Sequence, residues 1–564
     1  VNDDTEANVL THGYLASDRG YYHGGDIVGL HDQLPYLESL GITAVWVGPI
    51  YQNRTVQPDS SNLYGYSSGY HGYWITDFSQ VDPHLGTNDE FKALVDDAHG
   101  RGIQVFMDVV TNHTADVIQL EGNAGYRNKT DFPYVDTDGV PFDDSEFAYY
   151  GQSTYTFPEV DEDSFPYRPI VPAGEEDTKN PTWLNDPLLY HNRGDSSFTG
   201  ENSLYGDFFG LDDLWTERKE VVDGMIDIYK YWIEQFGVDG FRIDTTKHVN
   251  MEFWQKFGPD ILAAAEAAGI GHFFAFGEVF DQQYGPRFLS EFSTRGQLQS
   301  TIDFTFQLAA RDFASQDGAT DTLREFFEAD DYYTDADSNA YVMPTFVGNH
   351  DMGRIGYFLQ RVDQTSADDS ELQARSKLAQ ALMYFTRGQP VIYYGDEQGF
   401  TGDGGDKLAR QDMMPSLVPE YNDDDLIGTS ATTADDNFDT THPIYQALAD
   451  YGAVYSDHQA LRTGAQVHRH SASGPGIYAF SRIDRDEKVE YLVAFNNAPT
   501  SAQATFPTFS PSTTFSLVIS EGGAPAALTA DGGGEVTMDV APFGLAVYRA
   551  DAPIPANLSA PGIT

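Results

Sequence analysis

The sequence contains no cysteine. That absence removes disulfides, thiolate metal sites and a cysteine nucleophile together, and it is compatible with either redox compartment. No stretch approaches the roughly 18 consecutive apolar residues that a helix needs to span a bilayer, so a soluble chain is expected. Lysine is scarce: 10 of the 32 basic residues are Lys, against 87 Asp and Glu, and the formal net charge is -55. Such a charge excludes nucleic-acid phosphates and anionic membrane surfaces as partners. The first residues, Val1-Asn2-Asp3-Asp4, lack both an initiator Met and a charged-then-apolar leader, and read as a processed or trimmed end.

What is present fits a large globular protein. The chain has 564 residues, 40% hydrophobic and 14% aromatic, enough for two to four domains with a sizeable core. The acids are spread along the whole length, which predicts a carboxylate coat. Such a coat repels itself while the Debye length is about 10 Å, near 0.1 M salt, and much less when it is about 3 Å, near 1 M. A salt-adapted protein is therefore expected.

Short apolar runs alternate with helical patterns such as 88–99 and 220–235. The runs are 44–47, 103–107, 238–243, 273–276, 301–304, 345–347 and 391–393. Near-continuous apolar strands separated by amphipathic helices indicate parallel βαβ units covered on both faces, and the α/β architecture reads as a (β/α)8 barrel. A barrel unit averages about 31 residues, yet 130 residues separate Asp108 from Asp239. An irregular, β-rich domain inserted after the third strand is expected at 114–211, dividing the barrel into 1–113 and 212–456. Residues 30–40 read as helix, and no first strand is legible before them. Alternating strands at 476–480, 491–495, 515–519 and 544–548 predict a C-terminal antiparallel β-sandwich at 457–551, followed by a Pro/Ala/Ser-rich, linker-like tail at 552–564.

Carboxylates stand at the carboxyl ends of candidate strands: Asp108, Asp244, Glu278 and Asp351. That end is the active face of such a barrel. Asp244 and Glu278 are 34 residues apart, about one βα unit, so they fall on neighbouring strands and can converge. Several acids at one rim are costly unless chemistry or a cation needs them. Glycoside cleavage needs this set: an ionised carboxylate to attack the anomeric carbon and a protonated carboxyl to donate to the leaving oxygen. Arg242, two residues before Asp244, is expected to hold Asp244 ionised, while the apolar 273–277 run before Glu278 favours its protonated form.

Four ordered segments, Asp108-Val109-Val110-Thr111-Asn112-His113, Gly240-Phe241-Arg242-Ile243-Asp244-Thr245-Thr246-Lys247-His248, Gly277-Glu278-Val279-Phe280 and Phe346-Val347-Gly348-Asn349-His350-Asp351, resemble the signature regions of the α-amylase superfamily, family 13 glycoside hydrolases. The resemblance implies Asp244 as nucleophile, Glu278 as general acid/base and Asp351 as transition-state stabiliser. It implies His113, Arg242 and His350 as hydrogen-bonding partners of the sugar, Tyr73 as the aromatic beneath it, and Lys247 with His248 as the leaving-side binding pair of α-1,4-acting endo-enzymes. It also implies calcium, held by the Asn112 side chain, Asp213 and the His248 carbonyl, although Leu211-Asp212-Asp213-Leu214-Trp215 departs from the family's usual Leu-Pro-Asp-Leu-Asp or Leu-Ala-Asp-Leu-Asn run. The function so implied is a retaining endo-hydrolase of starch-like α-glucans, secreted because a polymer cannot cross a membrane, and monomeric. The alternatives are a transglycosylase of the same fold that forms cyclic or elongated glucans, an amylase also acting on pullulan, and a glucan-binding protein without activity, which the intact acids disfavour.

Overall fold

The computed structural model describes residues 9–60, 62–123, 125–281, 285–364 and 366–561. The polar start at residues 1–4 and the last three residues of the expected tail lie outside them. The chain divides into two compact units, residues up to Leu34 with Thr43–Ile302, and Pro35–Ile42 with Asp303 onward. This division cuts across the expected barrel segments 1–113 and 212–456. Among the described residues no helix is long and apolar enough to cross a membrane.

In the first unit five parallel strands form one sheet in the order β1 (Ala44–Val47), β2 (Gln104–Val109), β3 (Gly240–Ile243), β4 (Phe274–Gly277) and β5 (Ser300–Thr301). Helices α1 (Asn88–Gly100), α2 (Lys219–Phe236) and α3 (Met251–Ala267) precede β2, β3 and β4, the alternation expected from the sequence. Helix α1 starts at an N-cap: the Thr87 side chain accepts from the Glu90 N–H at 3.2 Å, and its hydroxyl donates to the Glu90 carboxylate. It then buries Phe91, Leu94, Val95 and Ala98, one helical stripe. Helix α2 stops at Gly237, whose φ of 73° is the left-handed turn that glycine adopts without strain. All four residues of β3 are buried. Phe241 packs on Tyr229 of α2, and Gly240 is a glycine by necessity, because a Cβ there would lie 2.2 Å from the Phe106 ring and the Phe274 carbonyl.

His113–Thr114 pairs antiparallel with Asp212–Asp213, Asp213 lying opposite His113. The chain thus leaves and returns through one two-stranded neck that bounds the insertion expected at 114–211. Inside it Gln119–Leu120 pairs with Pro169–Ile170 and Tyr134–Val135 with Pro141–Phe142, around a small core of Tyr134, Phe165 and Trp215. No named strand precedes β1 among the described residues. The expected helix over 30–40 is two helices, Ile27–Asp32 and Leu34–Ser39.

In the second unit β6 (Pro344–Thr345) and β7 (Gln389–Pro390) run parallel, starting before the expected runs at 345 and 391 and ending sooner. The strand expected at 301–304 is likewise cut short at Thr301. Asp303 caps a helix starting at Phe304, its carboxylate accepting from Phe306 N–H at 2.9 Å. After Asp457 two antiparallel sheets follow. One has six strands in the order Ala465–His470, Ile477–Ile483, Glu490–Asn496, Leu545–Ala550, Thr514–Glu521 and Ala527–Thr529; the other pairs Ala502–Pro507 with Glu535–Val540. The tail reads as a linker by composition, yet Ile554 and Ala560 are buried against Ile483. Their apolar side chains hold it on the sheet.

Candidate active site

Register explains how the first unit assembles its charged cluster. Arg242 on β3 sits opposite Asp108 on β2 and Phe276 on β4. The ladder continues one residue further, with Asp244 N–H donating to Val109 O and Glu278 N–H to Ile243 O, both at 2.8 Å. Both acids therefore stand at carboxyl ends of neighbouring strands. The Arg242 guanidinium joins them: Nη1 lies 2.8 and 2.9 Å from the two Asp108 oxygens and 2.7 Å from Asp244 Oδ1, and Nη2 is 2.8 Å from Glu278 Oε1. Burial opposes the charge of Arg242, but Asp108 and Glu278 outweigh it and hold the group well above its usual range. Asp108 also accepts from Trp46 Nε1 and Tyr73 OH at 3.2 Å each. Burial pushes its carboxyl up to about 6 against the pull of Arg242.

Arg242 thus lies against Asp244 and reaches Glu278 as well, one terminal nitrogen on each. Thr245 adds a second donor, its N–H reaching Glu278 Oε2 at 3.0 Å. It does so from a φ of 47°, rare for a β-branched residue and the kind of local strain that accompanies functional turns.

The other expected residues of this unit gather nearby. His113 lies 1% exposed and stacks on Phe208 at 5.3 Å, and burial pulls its pKa down to about 3. Phe208 also meets His248 edge-on; the His248 Nδ1 is 2.7 Å from Ser203 O, and burial lowers the ring to about 4. Both rings are thus neutral near pH 7. Lys247 donates to Phe280 O at 2.5 Å, and burial lowers its pKa. In the second unit His350 Nε2 is 3.2 Å from Asp351 Oδ2, and Arg410 lies 3.5 Å from the other Asp351 oxygen. Asn349 shapes this turn by accepting from the Asp351 and Met352 N–H groups.

Of the expected calcium ligands, Asn112 precedes the neck of the insertion, Asp213 lies in it and His248 ends the turn after β3. Leu214 N–H donates to Asn112 O at 2.9 Å, and the Asn112 amide nitrogen faces His113 Nδ1. Asp213 is 2% exposed, and one of its oxygens accepts from His191 Nδ1 at 2.7 Å. Burial, with Asp207 and Glu217 nearby, pushes Asp213 up to about 7 in spite of His191. A carboxylate, a side-chain amide oxygen and a backbone carbonyl are the oxygen donors that a hard divalent cation takes, so the chemistry of these residues fits calcium. Asp212, the departure in that run, has its own work: its carboxylate accepts from the Val117 and Ile118 N–H groups and pairs with the buried Lys179 at 2.5 Å. Asp144, His191 and Glu217 form a second buried group of possible ligand atoms, and Asp403, Asp423 and Asp424 a more exposed one.

Sequence reasoning gave no role to Trp46, Thr245, Phe208, Arg410 or His191, and placed Asp108 on the active face without a role of its own. For Asp108 a signal existed, since it opens a signature segment; for His191, a lone histidine in an irregular loop, none did.

A family model described as "Alpha amylase, catalytic domain" matches residues 2–449. The chain is 50% identical over 507 residues to an alpha-amylase of Streptomyces lividans, covering 90% of this chain and 54% of that one. It is 29% identical over 436 residues to a cyclomaltodextrin glucanotransferase of Klebsiella oxytoca, covering 71% and 57%. The chain thus spans about half the length of these relatives. A crystal structure of an Anoxybacillus alpha-amylase superposes with a TM-score of 0.68 at 25% identity, covering 97% of this chain and 95% of that one. The expected fold therefore holds: a (β/α)8 barrel with an inserted domain and a C-terminal antiparallel β-sheet domain.

Proposed function

The chain belongs to the alpha-amylase family, and on that premise we propose that it is a retaining hydrolase of internal α-1,4-glucosidic bonds in starch-like glucans. The observation that supports the reading is the single guanidinium that touches Asp108, Asp244 and Glu278, with Asp244 and Glu278 on its two terminal nitrogens. Retaining cleavage needs them roughly 5–5.5 Å apart.

Glu278 gives its proton to the glycosidic oxygen while an Asp244 oxygen attacks the anomeric carbon. The bond to the leaving chain breaks and a glycosyl ester on Asp244 forms. Glu278, now a carboxylate, takes a proton from water as that water attacks the same carbon and frees Asp244. Two inversions leave the configuration retained. Arg242 orients the Asp244 and Glu278 carboxyls through its two terminal nitrogens, and Asp351 offsets the positive charge that develops on the ring. His113, Arg242 and His350 hydrogen-bond the sugar, Tyr73 supports it from beneath, and Lys247 with His248 holds the leaving side. Asn112, Asp213 and the His248 carbonyl would hold calcium, which would supply structure rather than chemistry.

The enzyme works as a secreted monomer in saline surroundings. Its polymeric substrate favours the first, and its excess of acids favours the last. The similarity to a cyclomaltodextrin glucanotransferase supports a second reading, in which a sugar hydroxyl replaces water in the second step. Products decide between them: soluble starch should yield short linear maltooligosaccharides, whereas cyclic glucans would establish transfer. Glu278→Gln should lower kcat by about 10²–10⁴ or more while sparing glucan binding; unchanged turnover would remove Glu278 from the acid/base role.

A further inference from the structure

His191 is 1% exposed in the inserted domain, and the reaction makes no use of it. Both ring nitrogens are engaged by carboxylates: Nδ1 lies 2.7 Å from Asp213 Oδ2 and Nε2 lies 3.0 Å from Glu217 Oε2. The backbone fixes the same pair, since His191 N–H donates to Asp213 O at 2.9 Å. The Tyr205 ring closes the side of the imidazole edge-on at 5.2 Å. The ring is thus held at both nitrogens and on one side, with one nitrogen on the Asp213 carboxylate. Glu217 is itself 1% exposed and follows directly from the neck at Asp212–Asp213. Nearby Asp144 is already held by Trp215 Nε1 and Lys129, so Glu217 rather than Asp144 braces the ring.

We propose that His191, braced by Glu217, is a positioning residue for the calcium ligand Asp213. It occupies one carboxylate oxygen and fixes the plane of the other. The proposal rests on the reading of Asn112, Asp213 and His248 as calcium ligands. Its physical basis is that a partner behind a metal ligand lowers the cost of orienting that ligand, and loss of such a partner weakens metal affinity about 10–100-fold.

The test is calorimetric titration of the chelator-stripped protein with calcium, together with melting temperatures at zero and saturating calcium. His191→Leu keeps the packing against Tyr205 but removes both nitrogens, and should raise the calcium Kd about 10–100-fold. His191→Asn keeps a donor where Nδ1 stood and should stay within about threefold of the parent. A role confined to packing would lower the melting temperature equally with and without calcium. The positioning role shrinks the calcium-induced rise itself. A folded His191→Leu variant with the parent's Kd and the parent's calcium-induced rise would overturn the proposal. Because His191→Leu could fail to fold, the parent labelled with 15N-histidine gives a second readout: calcium must shift the ring signal of a buried histidine, and no movement of any such signal overturns the proposal. If the parent binds no calcium, or Asp213→Asn binds it as tightly as the parent, the calcium reading fails instead, independently of His191.

Discussion

Arg242 carries one positive charge among three carboxylates, and its neighbours show how that imbalance is met. Asp108, tied to Trp46, Tyr73 and Arg242, is raised to about 6 by burial, so the folded protein takes up this proton more readily than the unfolded chain, where an aspartate titrates near 3.9. The sign follows from linkage: ionised Asp108 costs stability above its folded pKa, and the cost is relieved as the pH falls through about 6 towards about 4. Asp108→Asn has no such titration. Its stability relative to the parent should fall as the pH is lowered from about 8 to about 5, measured by urea unfolding at each pH; a constant difference would mean that Asp108 titrates normally. The four signature segments made Asp244, Glu278 and Asp351 legible in the sequence. The role of Asp108 was not legible, because it depends on the parallel register that sets Arg242 opposite it, a pairing between strands far apart in the chain. The sharing of Arg242 with Glu278 was hidden for the same reason.

Strands four to six residues long and rich in aromatic and β-branched side chains were found from the sequence almost where they lie, as β1 to β4 show. Two-residue strands such as β5, β6 and β7 leave too short an apolar period to be placed, and tertiary hydrogen bonds fix their ends. The neck of the inserted domain illustrates the same limit: its length was legible from the gap between strands, but its closure by Asp213 opposite His113 was not. β3 is the element on which the site depends most, because Arg242 and Asp244 follow from its register. A methyl group on Gly240 would meet the Phe106 ring and the Phe274 carbonyl at 2.2 Å, where backbone on one side cannot yield. Gly240→Ala should therefore cost about 1–3 kcal/mol or more, with kcat falling alongside stability. An unfolding midpoint equal to the parent's would show that the strands part easily and that the register is loosely held.

Over the whole chain the formal charge is -55, and part of it lies inside. Six of the largest fully buried side chains are arginines: Arg193, Arg242, Arg354, Arg375, Arg387 and Arg482. Several of them pair with buried or half-buried acids, as Arg387 does with Asp303 and Asp330. Among the described residues buried acids outnumber buried bases, yet most of the acidic excess remains on the surface. Screening should then stabilise the fold, and the melting temperature should rise between about 0.1 M and about 1 M sodium chloride as the Debye length falls from about 10 to about 3 Å. A flat or falling curve would contradict salt adaptation. The catalytic reading is tested most directly by trapping the enzyme with a slow fluorinated α-glucosyl substrate and mapping the labelled peptide by mass spectrometry. The account predicts one glycosyl group, esterified to Asp244; a label on any other residue, or products released with inverted configuration and no label at all, would contradict it.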